Sequence, residues 1–291
     1  MKKLLLMMVL SVFLVASSFA DWDFAIQQDG KDIPVKEYNR IVSLSPAAVE
    51  VIYMIGAQEK LAAIATTRSG IWPEEKTSKL ESVGSLTRPS IEKIIAYEPD
   101  LVLLNSMNTD VAAVLEEHGI TYLYFRTDSI EKLLKELPLF GIMAGQSEAA
   151  IHLSHEKFEK LSQVKSELAE RPLELKGAFL YSASPLQGFN EQSLPGQILE
   201  ILGCENIVNS QMAKPIITPE YMLQENPDFL FGAMAISKVE DIANSNPLLN
   251  ETRAGAEGNI FLVPSHKILR PTPRVVDSIV ELYELLKPLV Q

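Results

Sequence analysis

The sequence contains very little cysteine: of its 291 residues, only Cys204 carries a thiol. A single thiol excludes an internal disulfide framework and any metal site built from several cysteines. We expect Cys204 to be a small, buried, apolar side chain. Basic residues are also in the minority, with 26 Lys and Arg against 38 Asp and Glu and a net charge of −12. That charge argues against nucleic acid or an anionic membrane as the main partner.

Motifs of the common enzyme classes are missing as well. The chain contains no Gly-x-Ser-x-Gly nucleophile elbow, no Gly-x-x-x-x-Gly-Lys phosphate loop and no Gly-x-Gly-x-x-Gly fingerprint. It has four histidines, and none of them belongs to a His-Glu-x-x-His zinc motif. The sequence therefore predicts neither an enzyme nor a resident cofactor or metal. We expect a protein that binds a ligand without changing it chemically.

Long hydrophobic runs are absent beyond the N-terminus. There, two lysines precede an apolar run from Leu4 to Ala16, and small residues occupy the positions that a signal peptidase reads, Ser18 and Ala20. This pattern predicts a signal peptide over residues 1–20, cleaved near Ala20, and a soluble protein in the periplasm. The alternative, a retained membrane anchor, is disfavoured because the run is short for a bilayer.

From residue 40 onward, short β-rich runs alternate with helical patterns. This alternation is typical of α/β folds, in which helices cover the faces of parallel sheets. The predicted strands are Arg40–Leu44, Leu61–Ala65, Leu101–Leu104, Tyr122–Phe125, Ala178–Ser182, Phe229–Gly232 and Ile260–Val263. The predicted helices are Pro46–Ile55, Ile91–Tyr97, Thr109–His118, Ile130–Ala144, Pro195–Cys204, Pro219–Asn226 and Arg274–Leu286.

One stretch interrupts the alternation. Ser147 to Glu170 contains no glycine or proline, is rich in charge and ends just before Pro172. We interpret it as one long helix between two lobes. The predicted organisation is an N-terminal lobe over 21–145, a linking helix over 146–171 and a C-terminal lobe over 172–291.

An internal match suggests that the two lobes are copies of one design. Ser90–Glu92 leads, seven residues after the glutamate, to Pro99-Asp100 and a buried strand. Thr218–Glu220 leads at the same spacing to Pro227-Asp228 and another buried strand. Each copy contains a helix cap, a glutamate in the first turn, two helical turns and a proline stop. The sequence thus predicts one α/β unit built twice.

Several segments, in this order and spacing, resemble the periplasmic substrate-binding proteins for ferric siderophores, haem and cobalamin. The resemblance covers essentially the whole chain from Arg40 onward, and it implies two Rossmann-like lobes joined by a rigid helix that restricts closure to a few degrees. It also implies a monomer whose partners are a small-molecule iron or metal complex and the permease dimer of an ABC importer in the inner membrane. The segments are Arg40–Pro46, Val83-Gly84, Glu92, Asp100, Leu199–Val208, Glu220–Asp228 and Pro273-Arg274.

Glu92 and Glu220 have two interpretations that are compatible with each other. In the first, each is a first-turn carboxylate that favours a helix N-terminus by about 0.3–1 kcal/mol. In the second, which the resemblance implies, each sits on top of its lobe and docks into an arginine pocket of the permease. Two equivalent glutamates suit a two-fold symmetric permease dimer.

The ligand is expected between the lobes, beyond the carboxyl ends of the strands. Loops at these ends supply the candidate contacts from both lobes, and each residue taken singly is equally compatible with a solvated loop position. The predicted ligand-binding residues are Thr67, Arg68, Trp72, Arg88, Asn105, Met107, Tyr181, Phe189, Lys214, Met234, His266 and Arg270.

Differences from the cobalamin-binding members of this family change which ligand we expect. Trp72 suits a corrin ring, but Leu86 and Lys214 stand six residues before the two glutamates, where those members carry tryptophan. Cleft cations in an acidic protein favour an anionic ligand, so we expect a ferric siderophore first and haem next. Cobalamin or a small metal chelate such as nickel remains the alternative. These cations are Arg68, Arg88, Lys214, His266 and Arg270.

Haem would usually require an axial ligand from the protein. His266 and Tyr181 are the candidates for that role in this sequence. A histidine on a loop is more often a hydrogen-bonding group than a metal ligand, and both interpretations stay open for His266. His152 and His155 share a face of the linking helix, and we interpret them as part of a solvated surface.

Overall fold

The computed structural model describes residues 25–28, 31–126 and 129–290, so the predicted signal peptide lies outside the described residues. Two α/β lobes with parallel-rich sheets follow one another along the chain, as the alternation of strands and helices predicts. Within the described ranges, no helix combines the length and the hydrophobicity needed to cross a membrane.

The N-terminal lobe contains a β-hairpin and a six-stranded sheet. The strand order is β6-β5-β4-β3-β7-β8, and all neighbours are parallel except β5 and β6. Helices cover both faces, and the central strands β3 and β7 are therefore entirely buried. The strands are β1 Ala25–Gln28, β2 Lys31–Pro34, β3 Ile41–Ser43, β4 Leu61–Thr66, β5 Ser82–Ser85, β6 Arg88–Pro89, β7 Leu101–Leu104 and β8 Tyr122–Tyr124. The helices are α1 Pro46–Met54, α2 Glu74–Thr77, α3 Ile91–Ala96, α4 Thr109–Glu117 and α5 Ile130–Met143.

The C-terminal lobe repeats this layout with fewer strands. Its sheet has the order β10-β9-β12-β13, in which β9, β12 and β13 are parallel and β10 is antiparallel, and β11 pairs with β9. The strands are β9 Lys176–Ala183, β10 Leu186–Gly188, β11 Glu205–Asn206, β12 Phe229–Gly232 and β13 Ile260–Leu262. After the linking helix α6 Ser147–Glu170, the helices are α7 Leu194–Ile201, α8 Pro219–Glu225, α9 Val239–Ser245, α10 Arg253–Ala256, α11 Ser265–Ile268 and α12 Arg274–Leu286.

Helix α6 spans Ser147–Glu170, as the sequence predicts. It packs closely along α5 of the N-terminal lobe because Gly141 lacks a side chain. A Cβ at that position would lie 2.3 Å from the Cβ of Ala150. One turn further, Ser154 Oγ donates a hydrogen bond to the carbonyl of Leu134 at 2.7 Å. Helix α6 is therefore fixed tightly against the N-terminal lobe.

Ion pairs attach the same helix to the C-terminal lobe. Lys157 Nζ and Lys160 Nζ each lie 2.7 Å from the carboxylate of Asp277 on α12. Burial acts to raise the pKa of Asp277, but hydrogen bonds from the two lysines outweigh it and hold that pKa below its ordinary value. The side chain of Lys157 is buried and that of Asp277 is 38% exposed, so solvent screens this pair only in part. Helix α6 thus contacts both lobes through specific interactions.

The two copies of the repeated motif fold alike. Ser90 and Thr218 cap α3 and α8, and each side-chain oxygen accepts a hydrogen bond from the backbone N–H three residues on, at 3.3 and 3.1 Å. Glu98 and Asn226, which directly precede the proline of each copy, both adopt the left-handed conformation, with φ of 47° and 49°. Equivalent backbone geometry at equivalent positions supports the interpretation that one unit is built twice.

The aspartates of the motif also have the same role in both lobes. Asp100 accepts a hydrogen bond from the backbone N–H of Arg40 at 2.9 Å. Asp228 accepts one from the backbone N–H of Lys176 at 2.8 Å. In each lobe, the aspartate before one strand therefore binds the residue next to the start of the neighbouring parallel strand.

The sequence patterns missed several short elements. These include the β1–β2 hairpin and the strands β5, β6, β10 and β11, which have two to four residues each. Segments of this length are too short to show a periodicity, and they form because a neighbouring strand offers hydrogen bonds. The predicted longer elements exist, with ends that differ by a few residues.

Cys204 is buried, as expected from the sequence. Burial, aided by the charge of Asp228, raises the pKa of its thiol from 9.0 to about 12. We predict that the native protein reacts with a disulfide reagent such as DTNB about a thousandfold more slowly than the unfolded chain, because the thiolate is the nucleophile. Release of the coloured thiolate in buffer and in denaturant measures this ratio.

A matched control is Ser162→Cys on the exposed face of α6. One thiol of that variant is expected to react at the unfolded rate while Cys204 stays protected. Rapid reaction of both thiols in the folded protein would contradict the buried position of Cys204.

Candidate functional site

The candidate ligand cleft is formed by loops at the carboxyl ends of the parallel strands of both lobes. Loops of the two lobes touch at this edge. Arg270, which follows β13, donates hydrogen bonds from Nη2 to Ser69 Oγ at 2.9 Å and to the carbonyl of Gly70 at 2.5 Å. Ser69 and Gly70 belong to the loop after β4. In open α/β sheets, ligands bind at this edge.

A buried ion cluster joins the lobes beside the cleft. Glu50 lies in the middle of α1, and its side chain has no exposed surface. Its Oε1 lies 2.5 Å from Nη1 of Arg270, and its Oε2 lies 2.9 Å from Nη1 of Arg274. The side chains of Arg270 and Arg274 are 12% and 15% exposed. One carboxylate of the N-terminal lobe therefore holds two arginines of the C-terminal lobe.

This cluster corrects the prediction that Arg270 is a free cation of the cleft. Its guanidinium forms an ion pair with Glu50, and Ser69 and Gly70 accept the hydrogen bonds that its Nη2 donates. The sequence did contain a signal for the cluster, since Glu50 is the only acidic residue in an otherwise apolar helix. A lone carboxylate in such a helix is buried at low cost only if cations reach it.

Trp72 and His266 lie beside the same cluster. The guanidinium of Arg274 lies 4.9 Å from the centre of the Trp72 ring, which is 41% exposed. The backbone N–H of Trp72 donates to Glu50 Oε1 at 3.4 Å. Burial, reinforced by the charge of Arg274, lowers the pKa of His266. Its imidazole is therefore neutral at neutral pH and offers one nitrogen lone pair.

The loop after β7 presents Met107 to solvent. Asn105 holds this loop, because its Nδ2 donates to the carbonyl of Leu44 at 2.8 Å and its Oδ1 accepts from the N–H of Met107 at 2.8 Å. The Met107 side chain is 59% exposed, which is unusual for a large apolar group. The amide of Asn105 thus has a structural role here, and its contact with ligand stays a prediction.

In the C-terminal lobe, Tyr181 lies near the end of β9. Lys214 Nζ lies 4.5 Å from the centre of its ring, and Phe189 contacts the ring edge to face at a centroid distance of 5.7 Å. The structure corrects the prediction for Phe189, which is buried in the core of this lobe. Its backbone pairs with Phe179, so its ring turns inward.

Met234 follows β12 in a conformation that methionine rarely adopts. Its φ is 55°, in the left-handed region, and its N–H donates to Ser265 Oγ at 2.8 Å. Its side chain is nevertheless 49% exposed. Strained residues of this kind cluster at ligand clamps. Met234 is therefore held in a fixed place at the carboxyl edge of the sheet.

The remaining predicted ligand residues are Thr67, Arg68 and Arg88. Thr67 is half-buried, and its Oγ1 lies 3.4 Å from Ser69 Oγ. Arg68 and Arg88 are exposed, and neither forms an ion pair with another residue that the structure describes. Within the described ranges, no group of three or more His, Cys, Asp and Glu side chains is placed to hold a metal ion.

Glu92 and Glu220 occupy equivalent positions, each the second residue of a capped helix. Helices α3 and α8 each lead into a parallel strand and run opposite to it, so their N-termini lie at the carboxyl edges of the sheets. Both carboxylates are exposed, and among the described residues neither finds an ion-pair partner. Two free carboxylates thus lie at the edges that border the cleft.

Comparisons with known proteins agree with this architecture. The family described as "Periplasmic binding protein" matches residues 41–266. The vitamin B12-binding protein of Vibrio parahaemolyticus is 24% identical over 248 residues, which cover 84% of this chain and 88% of the relative. A cobalamin-binding protein of Halobacterium salinarum is 23% identical over 256 residues, covering 83% of this chain and 67% of the relative.

Solved structures share the fold at low sequence identity. The periplasmic vitamin B12-binding protein of Vibrio cholerae superposes with a TM-score of 0.73 and 23% identity, covering 87% of this chain and 98% of that one. The apo haem-binding protein of Roseiflexus sp. RS-1 superposes with a TM-score of 0.75 and 19% identity, covering 88% and 100%. These relatives are named as binding proteins, and none of them is named as an enzyme.

Proposed function

Because the chain belongs to the periplasmic binding protein family, we propose that it is the receptor of an ABC importer that captures a metal tetrapyrrole. The ligand is held between the lobes and delivered to the permease dimer in the inner membrane. The mature protein acts as a periplasmic monomer, released by cleavage near Ala20. No chemical step is needed for this function.

The observation that carries the proposal is that both lobes expose large apolar side chains at the cleft edge. Trp72 and Met107 come from the N-terminal lobe and Met234 from the C-terminal lobe, with 41%, 59% and 49% of their surface exposed. Large apolar side chains that stay exposed on a folded protein are typical of binding surfaces. Methionine and tryptophan suit the flat apolar face of a tetrapyrrole, since thioethers and rings adapt to such surfaces.

The charges of the cleft change the order of the candidate ligands. The sequence favours a ferric siderophore because of five cleft cations, but Arg270 is paired with Glu50 and His266 is neutral. A strongly anionic siderophore therefore meets fewer free cations than expected. Haem and cobalamin, which relatives of this chain are named for, come first, and a ferric siderophore is the second candidate. A small chelate such as a nickel complex would leave the apolar edge uncovered.

If the ligand is haem, His266 and Tyr181 remain the candidates for the axial position. His266 is the better candidate, because its imidazole is neutral and can bind iron without first losing a proton. The ring of Tyr181 already contacts Lys214 and Phe189, which limits its freedom.

A ligand panel tests the proposal directly. We predict that haemin or cobalamin binds the mature protein with a dissociation constant of about 1 μM or less, and that Trp72→Ala weakens binding at least about tenfold by removing buried aromatic surface. Ligand absorbance measures both values and does not depend on tryptophan fluorescence.

The matched control is Leu285→Ala, which removes an exposed apolar side chain near the C-terminal end of α12. Its loss is expected to change affinity by less than a factor of about three. Binding of ferric siderophores alone would reverse the order of candidates, and binding of none of these metal complexes would contradict the proposed function.

A further inference from the structure

The guanidinium of Arg274 is nearly buried but only partly hydrogen-bonded. Its side chain is 15% exposed, and Nη1 donates to Glu50 Oε2 at 2.9 Å. No residue in the described part of the chain accepts a hydrogen bond from its Nε or Nη2. Arginine has five N–H donors, and buried polar groups normally find partners. The Nε and Nη2 edge is therefore left for a group that the folded chain does not supply.

The net charge of the cluster also favours an acidic group at this place. Glu50 contributes one negative charge against the two positive charges of Arg270 and Arg274. Within the described ranges, no other carboxylate forms an ion pair with either arginine. Arg270 uses Nη1 for Glu50 and Nη2 for Ser69 and Gly70, whereas the whole Nε and Nη2 edge of Arg274 has no acceptor among the described residues. A surplus positive charge in a poorly solvated place attracts an anion.

The position of Trp72 shows what kind of molecule could reach this group. The ring lies 4.9 Å from the guanidinium, and 41% of the Trp72 surface is still exposed. An acidic group on Arg274 would therefore adjoin an apolar wall. Such a pair suits a ligand that has a large apolar body and an acidic substituent.

We propose that Arg274 is an oxyanion subsite of the cleft, which receives an acidic group of the ligand while Trp72 contacts the adjoining apolar body. The Nε and Nη2 edge of a guanidinium forms the planar fork that binds carboxylates and phosphates in a bidentate manner. This inference rests on the proposed function, because it places the cargo in the cleft between the lobes.

Two acidic groups have the required chemistry, and matched ligand pairs distinguish them. Haemin carries propionates that its dimethyl ester lacks, and cobalamin carries a phosphodiester that cobinamide lacks. In one of the two pairs, the protein is expected to bind the acidic member at least about tenfold more tightly than its partner. The reason is that hydrogen bonds to a charged group contribute more binding free energy than neutral ones. In Arg274→Gln that ratio should fall to about one. Equal affinity for both members of both pairs in the wild-type protein would overturn the inference.

A second test needs no cargo. In a Trp22→Phe background Trp72 is the only tryptophan, and its emission can be excited at wavelengths that tyrosine does not absorb. The quenching of this emission by iodide, divided by its quenching by neutral acrylamide, reports anions beside the ring. A unit charge about 5 Å away changes the local iodide concentration by about fourfold at low ionic strength. Arg274→Gln should lower the quenching ratio by up to this factor.

Glu50→Gln gives the decisive comparison, because it removes the counter-charge and keeps an amide oxygen for the arginines. It should raise the iodide ratio, whereas Arg274→Gln lowers it. A cluster that anions in solution cannot approach would leave the ratio unchanged in both variants. Arg171→Gln removes an equal charge from an exposed position just after α6 and should leave the ratio nearly unchanged.

The outcomes separate the inference from the proposed function. Opposite shifts in the iodide ratio support the subsite, whether or not a metal complex binds. If no metal complex binds, that result counts against the proposed cargo alone. Parallel shifts, or none, overturn the subsite even if haemin or cobalamin binds tightly. Thermal unfolding of each variant confirms that folded proteins are being compared.

Discussion

Reversing the charge of Glu92 and Glu220 together, by lysine substitution, is expected to reduce uptake through the importer at least about a hundredfold. Each carboxylate is exposed at the cleft edge of its lobe and has no ion-pair partner among the described residues. If the permease offers basic pockets, each reversal creates a like-charge contact that costs several kcal/mol. Each single reversal should give an intermediate loss. Uptake of labelled ligand into cells or proteoliposomes measures the effect.

Ligand affinity provides the control that isolates docking from capture. The double variant should bind ligand with unchanged affinity, because both glutamates lie on helices beside the cleft and not on the loops that line it. Glu117→Lys with Glu251→Lys makes the same change in net charge at exposed positions near the opposite edges of the sheets, and it should transport normally. Lost ligand binding, or full uptake by the double variant, would contradict docking by these residues.

Removing the carboxylate of Glu50 is expected to cause the largest loss of stability of any single change at the cleft. Glu50→Ala leaves Arg270 and Arg274, which are 12% and 15% exposed, without their counter-ion. Breaking a buried ion pair in this way costs about 3–5 kcal/mol, because an uncompensated charge stays buried. Urea unfolding at neutral pH, followed by circular dichroism, measures the change in the free energy of unfolding.

Glu281→Ala is the matched control for that measurement. Glu281 forms an ion pair with Lys267 at 2.7 Å on the surface of the C-terminal lobe, which also carries Arg270 and Arg274. Exposed pairs contribute about 0–1 kcal/mol, so its loss should be small. A similar small loss in Glu50→Ala would mean that the buried cluster does not hold the lobes together, and it would remove the charge argument for an anion subsite.

The three sets of inter-lobe contacts also bear on how far the lobes can move. Helix α6 packs on α5, its lysines bind Asp277, and Glu50 binds two arginines of the opposite lobe. Each set would have to break or slide during a large hinge motion. We therefore retain the expectation of a few degrees of rocking, in which delivery depends on the docking residues more than on closure.

The sequence by itself determined the features that depend on local pattern. Alternating apolar runs gave the two α/β lobes, the absence of glycine and proline gave helix α6, and repeated caps and prolines gave the equivalent positions of Glu92 and Glu220. These features are encoded within about twenty-five neighbouring residues, where periodicity and capping act. The sequence also predicted which residues occupy the loops at the strand ends, but not the burial or the neighbours of their side chains.

Only the tertiary structure decided which of these residues are free to act. Arg270 and Glu50 are 220 positions apart in the chain, so no local pattern could pair them. Phe189 turned into the core because its backbone N–H binds the carbonyl of Phe179 on β9, and the side chain of Asn105 forms hydrogen bonds that hold its own loop. Charge and exposure at the cleft depend on such long-range contacts, since burial and partner groups set the energy of every polar side chain.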